Sequence, residues 1–235
     1  MKQFKTVAII PARGGSKRIA HKNIKLFYGK PLIAYSIQAA IASKLFDAVI
    51  VSTDDAQIAK IANEYGAITP FVRPKELSDD FTATGAVISH AIDWLRKNNH
   101  NPQYICSIYA TAPLLDIKYL KEGLEKLKNS DAKYTFGATS MPFPIQRTFK
   151  LTKDGRCEMF EKENFLKRSQ DLPEAYQDAG QFYWNDLNKN SKEIIFAKDS
   201  IPIILPRHLV QDIDTLEDWK RIEIMYSVLK QSGEI

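Results

Sequence analysis

The chain has 235 residues, of which 44% are hydrophobic and 26% charged, so it is long enough to bury a sizeable core and has the composition of a globular protein. Its 33 basic and 28 acidic residues give a net charge of +5, which suits an anionic ligand, but they form no long basic run of the kind that favours nucleic acid as a partner. No stretch approaches the roughly 20 apolar residues of a membrane span and the start shows no signal-peptide pattern, so we expect a cytoplasmic protein with no membrane partner, whose two cysteines, Cys106 and Cys157, are free thiols.

Strands and helices alternate through the first 140 residues. The apolar run TVAIIP (6–11) predicts a strand buried on both faces, and Pro11 closes it because proline lacks the N–H that a ladder needs. Further strands are predicted at 48–53, 67–72, 103–110 and 133–140, and helices at 31–43, 54–64, 85–97 and 116–129. This alternation predicts an α/β fold with a doubly wound, mostly parallel sheet.

The alternation breaks at MPFPIQRTF, after residue 140. From there to about residue 183 the pattern is mixed, which is typical of an insertion with its own role rather than of a loose loop. A strand at 201–206 and a helix from Asp214 or Thr215 to about residue 230 then complete the core. We therefore predict a nucleotide-binding α/β core at 1–140, an inserted arm at 141–181, and completion of the core at 182–235.

The loop IIPARGGSKRIAHKN (9–23) follows the first strand, and ligands bind beyond the carboxyl ends of strands in open α/β sheets. Gly14 and Gly15 let backbone N–H groups approach a ligand. The basic side chains that can neutralise phosphate oxygens are Arg13, Lys17, Arg18 and Lys22. The loop has neither the GxGxxG nor the GxxxxGK[ST] spacing, so it predicts a triphosphate site of another kind. The alternative is a solvated basic loop with turn glycines.

Asp212 and Asp214, in QDIDTLED, are two residues apart, a spacing that points both carboxylates to one side at a strand end. Facing a phosphate-rich loop, they offer the oxygen ligands that Mg²⁺ prefers. Alternatively, Asp214 is only a helix N-cap and Asp212 a surface charge. Asp54 and Asp55, after the second strand, are better explained as a helix N-cap than as site residues. No GxSxG elbow or HExxH motif is present.

Five blocks, in this order, resemble the CMP-sugar cytidylyltransferases over nearly the whole chain. They are IIPARGGSKRIAHKN, GKPLIAYSI, VSTDD, RP with DDFTAT, and DIDTLED. The resemblance implies a Rossmann-like nucleotidyltransferase fold and a reaction of CTP with a nonulosonic acid, in which the anomeric hydroxyl attacks the α-phosphorus in line, assisted by Mg²⁺. A non-catalytic nucleotide-binding protein on the same fold is the alternative of another class, and the retained Lys22 and carboxylate pair favour the enzyme.

The resemblance also implies roles for individual residues. Arg13, Lys22 and Asp214 would be catalytic, and Asp212 and Asp214 would hold Mg²⁺. The nucleotide would be bound by Ala12, Arg13, Gly14, Gly15, Ser16, Lys22, Asn23, Arg73, Asp80, Thr82, Ala83 and Thr84.

The later segment RSQDLPEAYQDAGQFYW (168–184) most resembles the members that act on pseudaminic acid. Gln177 stands about where sialic acid members carry an Arg, DAGQFYW replaces their NGAIY-like run, and Tyr109 and Leu115 replace a Gln and an Arg of another block. The candidates for sugar contact are Gln181, Tyr183, Gln177 and Arg168, with Gln146 and Arg147 weaker. Pseudaminic acid is the expected substrate, with sialic acid, legionaminic acid and Kdo as alternatives.

The inserted segment is a further point of resemblance. In the family, this region commonly reaches over the active site of a partner subunit in a homodimer. The resemblance therefore implies a homodimer here, in which Arg168 or Lys167 completes the neighbouring site. The alternative is a subdomain that packs on its own chain.

Overall fold

The computed structural model describes residues 3–190 and 193–235. Its strands are β1 (Thr6–Pro11), β2 (Leu26–Phe27), β3 (Lys30–Pro31), β4 (Ala48–Ser52), β5 (Tyr104–Ile108), β6 (Tyr134–Ser140), β7 (Phe149–Leu151), β8 (Cys157–Met159), β9 (Tyr176–Asp186) and β10 (Ser200–Ile204). Its helices are α1 (Leu32–Ser43), α2 (Ala56–Glu64), α3 (Thr84–Lys97), α4 (Ile117–Lys128) and α5 (Leu216–Ser232). In the described part of the chain, no helix has the length and apolar character needed to cross a bilayer.

Six strands form the central sheet, in the order β10-β6-β9-β5-β1-β4. β1 pairs in parallel with both β4 and β5, and β10 pairs in parallel with β6. β9 lies between β5 and β6 and is antiparallel to both. The predicted mostly parallel, doubly wound sheet is therefore confirmed, with one antiparallel strand inserted near its centre.

Hydrophobic residues of β1 alternate between two cores. Val7 and Ile9 pack on one face of the sheet with residues of α3, whereas Ala8 and Ile10 belong to the larger cluster on the other face. All four are fully buried. A strand covered on both faces needs apolar residues at every position, which explains the continuous run that begins the chain.

Side chains at helix N-termini account for several predicted boundaries. Asp55 caps α2 by accepting from the backbone N–H groups of Gln57 and Ile58, as expected. Thr215 caps α5 and forms a capping box with Asp218, so of the two candidates the cap is Thr215 and not Asp214. Asp214 is thereby left available for contacts in the site.

The strand predicted at 67–72 is wrong. Only Ile68 joins the sheet, through an isolated parallel bridge to Ile50. Pro70 follows two residues later and has no N–H to donate, so the pairing does not extend.

β9 is the strand of the central sheet that the sequence pattern did not reveal. It begins at Tyr176, so six residues assigned to the inserted segment, 176–181, belong to the central sheet. Its pairing with β6 passes from Phe136 opposite Tyr183 to Ala138 opposite Asp178, a register shift at which Gly180 has a φ of 62°. That left-handed conformation suits glycine, and the resulting bulge hides the alternation of a regular strand.

Residues 141–175 lie between β6 and β9 and contain the antiparallel hairpin β7–β8 and three short 3-10 turns. The large hydrophobic side chains exposed there are Phe143, Ile145, Phe149, Leu151, Phe160, Phe165 and Leu166. We call this segment the arm.

Candidate functional site

A cleft of about 570 Å³ opens beyond the carboxyl ends of β1 and β5. Its lining combines basic, acidic, hydroxyl and apolar side chains: Pro11, Arg13, Ser16, Lys17, Arg18, Lys22, Asn23, Arg73, Leu77, Asp79, Asp80, Thr82, Thr84, Val87, Tyr109, Ala110, Thr111 and Asp214. Five cations and three carboxylates from the basic loop, the 73–84 segment and the 212–214 segment thus converge on one cavity. Such a volume and charge suit a nucleotide-sized ligand.

Asp80 holds two cations of the basic loop. Arg13 Nη1 lies 2.6 Å from Asp80 Oδ1, and Lys17 Nζ pairs with Asp80 Oδ2. Arg13 also donates to the backbone oxygen of Asp79 at 2.7 Å. Hydrogen bonds from Lys17 and Arg13 lower the pKa of the Asp80 carboxyl below its usual value, so it stays ionised. The loop's charge is therefore partly neutralised by a carboxylate of the facing segment.

The two loop glycines have different roles. A Cβ on Gly14 would lie 2.7 Å from Asp55 Oδ2, so no side chain fits at this position without displacing the cap of α2. The Gly14 N–H donates to Asp54 Oδ1 at 3.1 Å. Gly15, by contrast, has open space where a Cβ would stand, which leaves its backbone approachable.

Lys22 and Arg18 meet Asp214. Arg18 Nη2 lies 2.7 Å and Lys22 Nζ 3.4 Å from Asp214 Oδ1. The Lys22 ammonium also donates to the backbone oxygen of Ile213, and its side chain is only 18% exposed. Lys22 is thus held in one place, although it begins a short 3-10 turn in a surface loop.

Asp212 is exposed as a whole residue, while its carboxyl group is partly covered by neighbouring atoms. Its Oδ1 accepts from the adjacent backbone N–H of Ile213 at 2.9 Å. Burial and then the charge of Asp214 raise the pKa of Asp212 above its usual value. Two neighbouring carboxylates, one of them desolvated, repel each other, and a bound cation would relieve that repulsion. Among residues 3–190 and 193–235, no cluster of three or more His, Cys, Asp or Glu offers a complete metal site.

Arg73 is the most buried cation of the cleft, with 3% of its side chain exposed. Its Nε donates to Ser78 Oγ at 3.1 Å, and its Nη2 lies 3.4 Å from Asp54 Oδ1. Burial lowers its pKa, and the charge of Asp54 opposes that shift. Asp54 therefore links the backbone of the glycine loop to Arg73, a role that the sequence pattern did not predict.

The turn before α3 is organised by Asp79. Its Oδ1 accepts from the backbone N–H groups of Phe81 and Thr82 and from the Thr82 hydroxyl, and these bonds lower the pKa of its carboxyl. α3 then begins at Thr84 with Ala83 at the N-cap and no capping side chain. Thr82 and Thr84 both face the cleft.

On the other side of the cleft, Tyr109 packs against Tyr183, with ring centroids 5.2 Å apart. Gln181 is almost fully buried, and its Nε2 donates to the backbone oxygen of Leu209 at 2.6 Å. Gln181 Oε1 is buried with no partner in the described part of the chain. Tyr109 thus lines the cleft, while Tyr183 and Gln181 lie behind it in β9.

The structure brings together nine of the residues expected from sequence as lining of one cleft. They are Arg13, Ser16, Lys22, Asn23, Arg73, Asp80, Thr82, Thr84 and Asp214. The other expected residues are not among those that line the cleft: Ala12, Gly14, Gly15, Ala83, Gln177, Gln181, Tyr183, Arg168 and Asp212. Lys17 and Arg18, expected from the sequence as cations that can neutralise phosphate, also line the cleft. Asp79, from the DDFTAT block, and Val87 line it as well, although no ligand contact was expected for them.

Arg168 and Gln177 lie apart from the other candidates. Arg168 is in the arm, where it pairs with Asp171 at 2.7 Å, and Gln177 is exposed in β9 opposite Thr139 of β6. Neither is among the residues that line the cleft. Within one chain, these two residues therefore do not share the cavity of the basic loop.

Comparison with known proteins identifies the family. Residues 7–220 match the family model described as cytidylyltransferase. The chain is 46% identical over 231 residues to a pseudaminic acid cytidylyltransferase of Campylobacter jejuni, covering 98% of this chain and all of that protein. It is 42% identical to a CMP-N,N'-diacetyllegionaminic acid synthase of Legionella pneumophila, covering 94% of this chain and 95% of that protein.

Among solved structures, a CMP:2-keto-3-deoxy-manno-octonic acid synthetase complexed with CTP has the same fold, with a TM-score of 0.66 at 13% identity. That similarity covers 95% of this chain and 98% of the solved chain. This similarity shows the fold, while the family model and the two relatives show the family. This chain belongs to the cytidylyltransferase family.

Proposed function

We propose that the protein transfers the cytidylyl group of CTP to pseudaminic acid, releasing diphosphate. One observation carries this proposal: Arg13, Lys17, Arg18 and Lys22 converge with Asp214 on a nucleotide-sized cleft. The 46% identity to pseudaminic acid cytidylyltransferases over nearly the whole chain supports the choice of sugar.

When a triphosphate binds, its phosphate oxygens would replace Asp80 and Asp214 as the partners of the loop cations. Asp80 now pairs with Arg13 and Lys17, and Asp214 with Arg18 and Lys22. Phosphate oxygens carry more charge and can engage guanidinium groups bidentately, so they compete well for these cations. We expect Arg13 and Lys17 to bind one end of the triphosphate and Lys22, held by the Ile213 carbonyl, to neutralise charge near the α-phosphate.

Cytidine would lie toward Arg73. This buried guanidinium is held by Ser78 and Asp54, and the Thr82 and Thr84 hydroxyls line the same part of the cleft. Fixed polar groups of this kind can read a base edge, because their positions do not have to be ordered on binding.

The carboxylates of Asp212 and Asp214 fit Mg²⁺. The repulsion between them favours a hard cation that takes its other ligands from water and phosphate. When bound, Mg²⁺ would supply Lewis-acid stabilisation of the phosphate charge. The protein's own part is to hold the two carboxylates beside Lys22 and to fix Asp214 just before the cap of α5.

A panel of sugars tests the substrate. The protein is incubated with CTP, Mg²⁺ and one sugar at a time: pseudaminic acid, legionaminic acid, N-acetylneuraminic acid or Kdo. The release of diphosphate is measured for each sugar. We expect turnover with pseudaminic acid at a kcat/KM at least about tenfold above the others, the discrimination that about 1.4 kcal/mol supplies. Preferred turnover of legionaminic acid, the sugar named for the Legionella relative, would contradict the proposal. CTP binding without any diphosphate release would indicate a non-catalytic binder.

We further propose that the protein is a cytoplasmic homodimer joined through the arm. Seven large hydrophobic side chains of the arm are exposed in one chain, a density that is typical of an interface. Arg168 and Lys167, remote from their own cleft, would then be available to the partner's cleft. Both cysteines are free thiols, which fits a reducing compartment.

A further inference from the structure

The residues that end β4 and follow it contact two parts of the cleft through their backbone. The Ser52 carbonyl accepts from the N–H of Ala12, where the basic loop begins, at 2.9 Å. The Thr53 carbonyl accepts from the N–H of Arg73 at 2.8 Å. These bonds bring the main chains of the basic loop and of the 73–84 segment to the same strand end, but they do not by themselves orient the Arg73 side chain.

Asp54 connects the same two parts through its side chain. Its Oδ1 accepts from the backbone N–H of Gly14 at 3.1 Å and lies 3.4 Å from Arg73 Nη2. The Asp54 side chain is 28% exposed and is not among the groups that line the cleft, whereas Arg73 is. One carboxylate oxygen of Asp54 is therefore shared between the glycine-bearing loop and a cation that faces the ligand.

The Arg73 guanidinium is held at two of its nitrogens. Its Nε donates to Ser78 Oγ at 3.1 Å, and the Ser78 hydroxyl in turn donates to the Pro74 carbonyl at 2.9 Å. Asp54 accepts at Nη2, so the two bonds together fix the plane of the group. The remaining N–H groups of Arg73 can donate to a ligand, and cytosine accepts hydrogen bonds at O2 and N3, whereas uracil donates at N3. A guanidinium fixed beside that edge of the base would favour cytosine over uracil.

Gly14 is held from two sides. A Cβ on Gly14 would lie 2.7 Å from Asp55 Oδ2, so the loop sits against the cap of α2 at this point. The bond to Asp54 fixes the N–H of the same residue, and Arg13, which lines the cleft, directly precedes it. Loss of that bond would release the backbone beside a cation that is expected to bind phosphate.

Asp80 and Asp54 both meet cations of the cleft, but their partners differ. Asp80 pairs with the side chains of Arg13 and Lys17, which a triphosphate can take over. Asp54 bonds to a main-chain N–H and to a guanidinium whose side chain is 3% exposed, and such bonds can persist when a ligand binds. Removal of the Asp80 charge should therefore favour an anionic ligand, whereas removal of the Asp54 side chain should disorganise the site that receives it.

We propose that Asp54 is a positioning residue that fixes the base-side guanidinium relative to the phosphate-binding loop. A single CTP then meets both in one arrangement, and its base and its phosphates do not each have to order a separate part of the protein. Asp54 acts only through Gly14 and Arg73 and does not touch the nucleotide. This inference rests on the proposed function and deepens it by naming the residue that joins the two halves of the CTP site.

Calorimetric titrations with CTP, UTP and inorganic triphosphate, each with Mg²⁺, test the proposal without the sugar. Asp54→Ala removes both bonds and should weaken CTP binding about tenfold, as for hydrogen bonds to charged groups. Its preference for CTP over UTP should fall, and its affinity for inorganic triphosphate should fall about threefold, as for one neutral hydrogen bond. Asp54→Asn keeps an oxygen that can accept both bonds but lacks the charge, so its CTP affinity should lie between those of Asp54→Ala and the wild type.

A charge effect alone would have the opposite sign. Both variants remove a negative charge beside the phosphate-binding loop, and electrostatic attraction alone would then tighten the binding of triphosphates. The sign of the change in Asp54→Asn therefore decides between charge and positioning even if Asp54→Ala is too unstable to be measured. Thermal melting establishes which variants are folded.

Two control variants are matched to those of Asp54. Asp55→Asn removes the neighbouring negative charge and keeps the helix cap, because asparagine caps as well as aspartate, so it should bind CTP at least as tightly as the wild type. Ser78→Ala removes the other bond to the Arg73 guanidinium but leaves the bond to Gly14 in place. It should lower the preference for CTP over UTP and keep the wild-type affinity for inorganic triphosphate.

Three results would overturn the proposal: CTP binding by Asp54→Asn as tight as that of the wild type or tighter, an unchanged preference for CTP over UTP in Asp54→Ala, or a loss of CTP affinity in Asp54→Ala without any loss for inorganic triphosphate. A wild-type protein that binds no triphosphate, or that binds UTP as tightly as CTP, contradicts the proposed function itself. Preferred binding of CTP by the wild type with no change in the Asp54 variants overturns only the role of Asp54.

Discussion

At the scale of single residues, ion pairs between carboxylates and loop cations set the net charge that the cleft presents to a ligand. Asp214 receives both Arg18 and Lys22, and Asp80 receives both Arg13 and Lys17. Each carboxylate thus holds two cations in place while it lowers the net positive charge that a triphosphate meets. The two acids nevertheless have different expected roles, which substitutions can separate.

Asp214→Asn should lower kcat/KM at least about 100-fold, because it removes a charge that positions Lys22 and would hold the metal. The fold should be unchanged, since Asp214 lies outside the capping box of α5. Diphosphate release and thermal melting check the two expectations. Glu217→Gln, a carboxylate removed from the first turn of the same helix, is the matched control and should keep its activity. Full activity of Asp214→Asn would refute the role of this residue.

Asp80→Asn should strengthen CTP binding about two- to fivefold, because the pairs that CTP must displace are solvent-exposed and individually weak. Calorimetric titration with CTP measures the dissociation constant. The gain should shrink at high salt, which screens exposed charges. If binding weakens instead, the Asp80 carboxylate itself contacts the nucleotide, as the family resemblance implies.

At the scale of elements, the start of α5 anchors the acidic segment of the site. Thr215 and Asp218 exchange hydrogen bonds in the capping box, and Asp218 Oδ2 also accepts from the backbone N–H of Asp214 at 3.1 Å. The N-terminus of this helix thereby fixes the backbone that carries Asp214, one of the two proposed metal ligands. A local capping motif, visible in the sequence as TLED, thus positions a site residue.

Thr215→Ala should lower the free energy of unfolding by about 1 kcal/mol, the usual cost of losing an N-cap side chain. Urea denaturation measures this change, and the same variant should raise the KM for CTP only slightly. Ser232→Ala, at the opposite end of α5, is the comparison variant, because its hydroxyl bonds lie outside the site. Equal stability of Thr215→Ala and wild type would show that the capping box contributes nothing.

The contribution of Asp218 should depend on pH. Its pKa is lowered from 3.8, first by the hydrogen bond from Thr215, so the folded protein binds this proton less readily than the unfolded chain. The stabilisation is therefore complete above the ordinary value of 3.8 and is lost as the pH falls below it. Urea midpoints of wild type and Asp218→Asn should differ at pH 7 and converge on acidification. A difference that persists at low pH would exclude this linkage.

At the scale of the whole molecule, the central sheet and the arm differ in how well a single chain covers their apolar side chains. The sheet is complete within one chain, from β10 to β4. The arm buries few of its apolar side chains, and Leu166 is 89% exposed. These exposed side chains are the surface that the proposed dimer would cover.

Leu166→Asp should convert the proposed dimer to a monomer, because it places a charge in the apolar contact. Light scattering after size-exclusion chromatography measures the mass. Leu26→Asp changes a leucine that is also exposed but lies in β2, outside the arm, so this variant should leave the dimer intact. A wild-type protein that is already monomeric would exclude the dimer, and with it a role of Arg168 in a partner's cleft.

Much of the fold and part of the site follow from local sequence. Some features depend on burial of a whole element, namely the apolar run 6–11 and the helical spacing of α1 and α3. Others depend on contacts within a few residues, namely the helix caps Asp55 and Thr215. The glycine-bearing basic loop and the carboxylate pair are likewise visible as motifs. These features are predictable because period, turn chemistry and charge are properties of short segments.

The pairings of distant segments were decided only by the tertiary structure. β9 is inserted between β5 and β6 with a bulge at Gly180, so neither its boundaries nor its direction follow from its own residues. Asp80 meets Arg13, Asp54 meets Gly14, and Tyr109 meets Tyr183 across tens of residues of chain. The sequence alone thus determined which chemical groups the protein has, and it predicted phosphate as the ligand class. Which group faces which depends on strand order and register, and these are set by packing over the whole molecule.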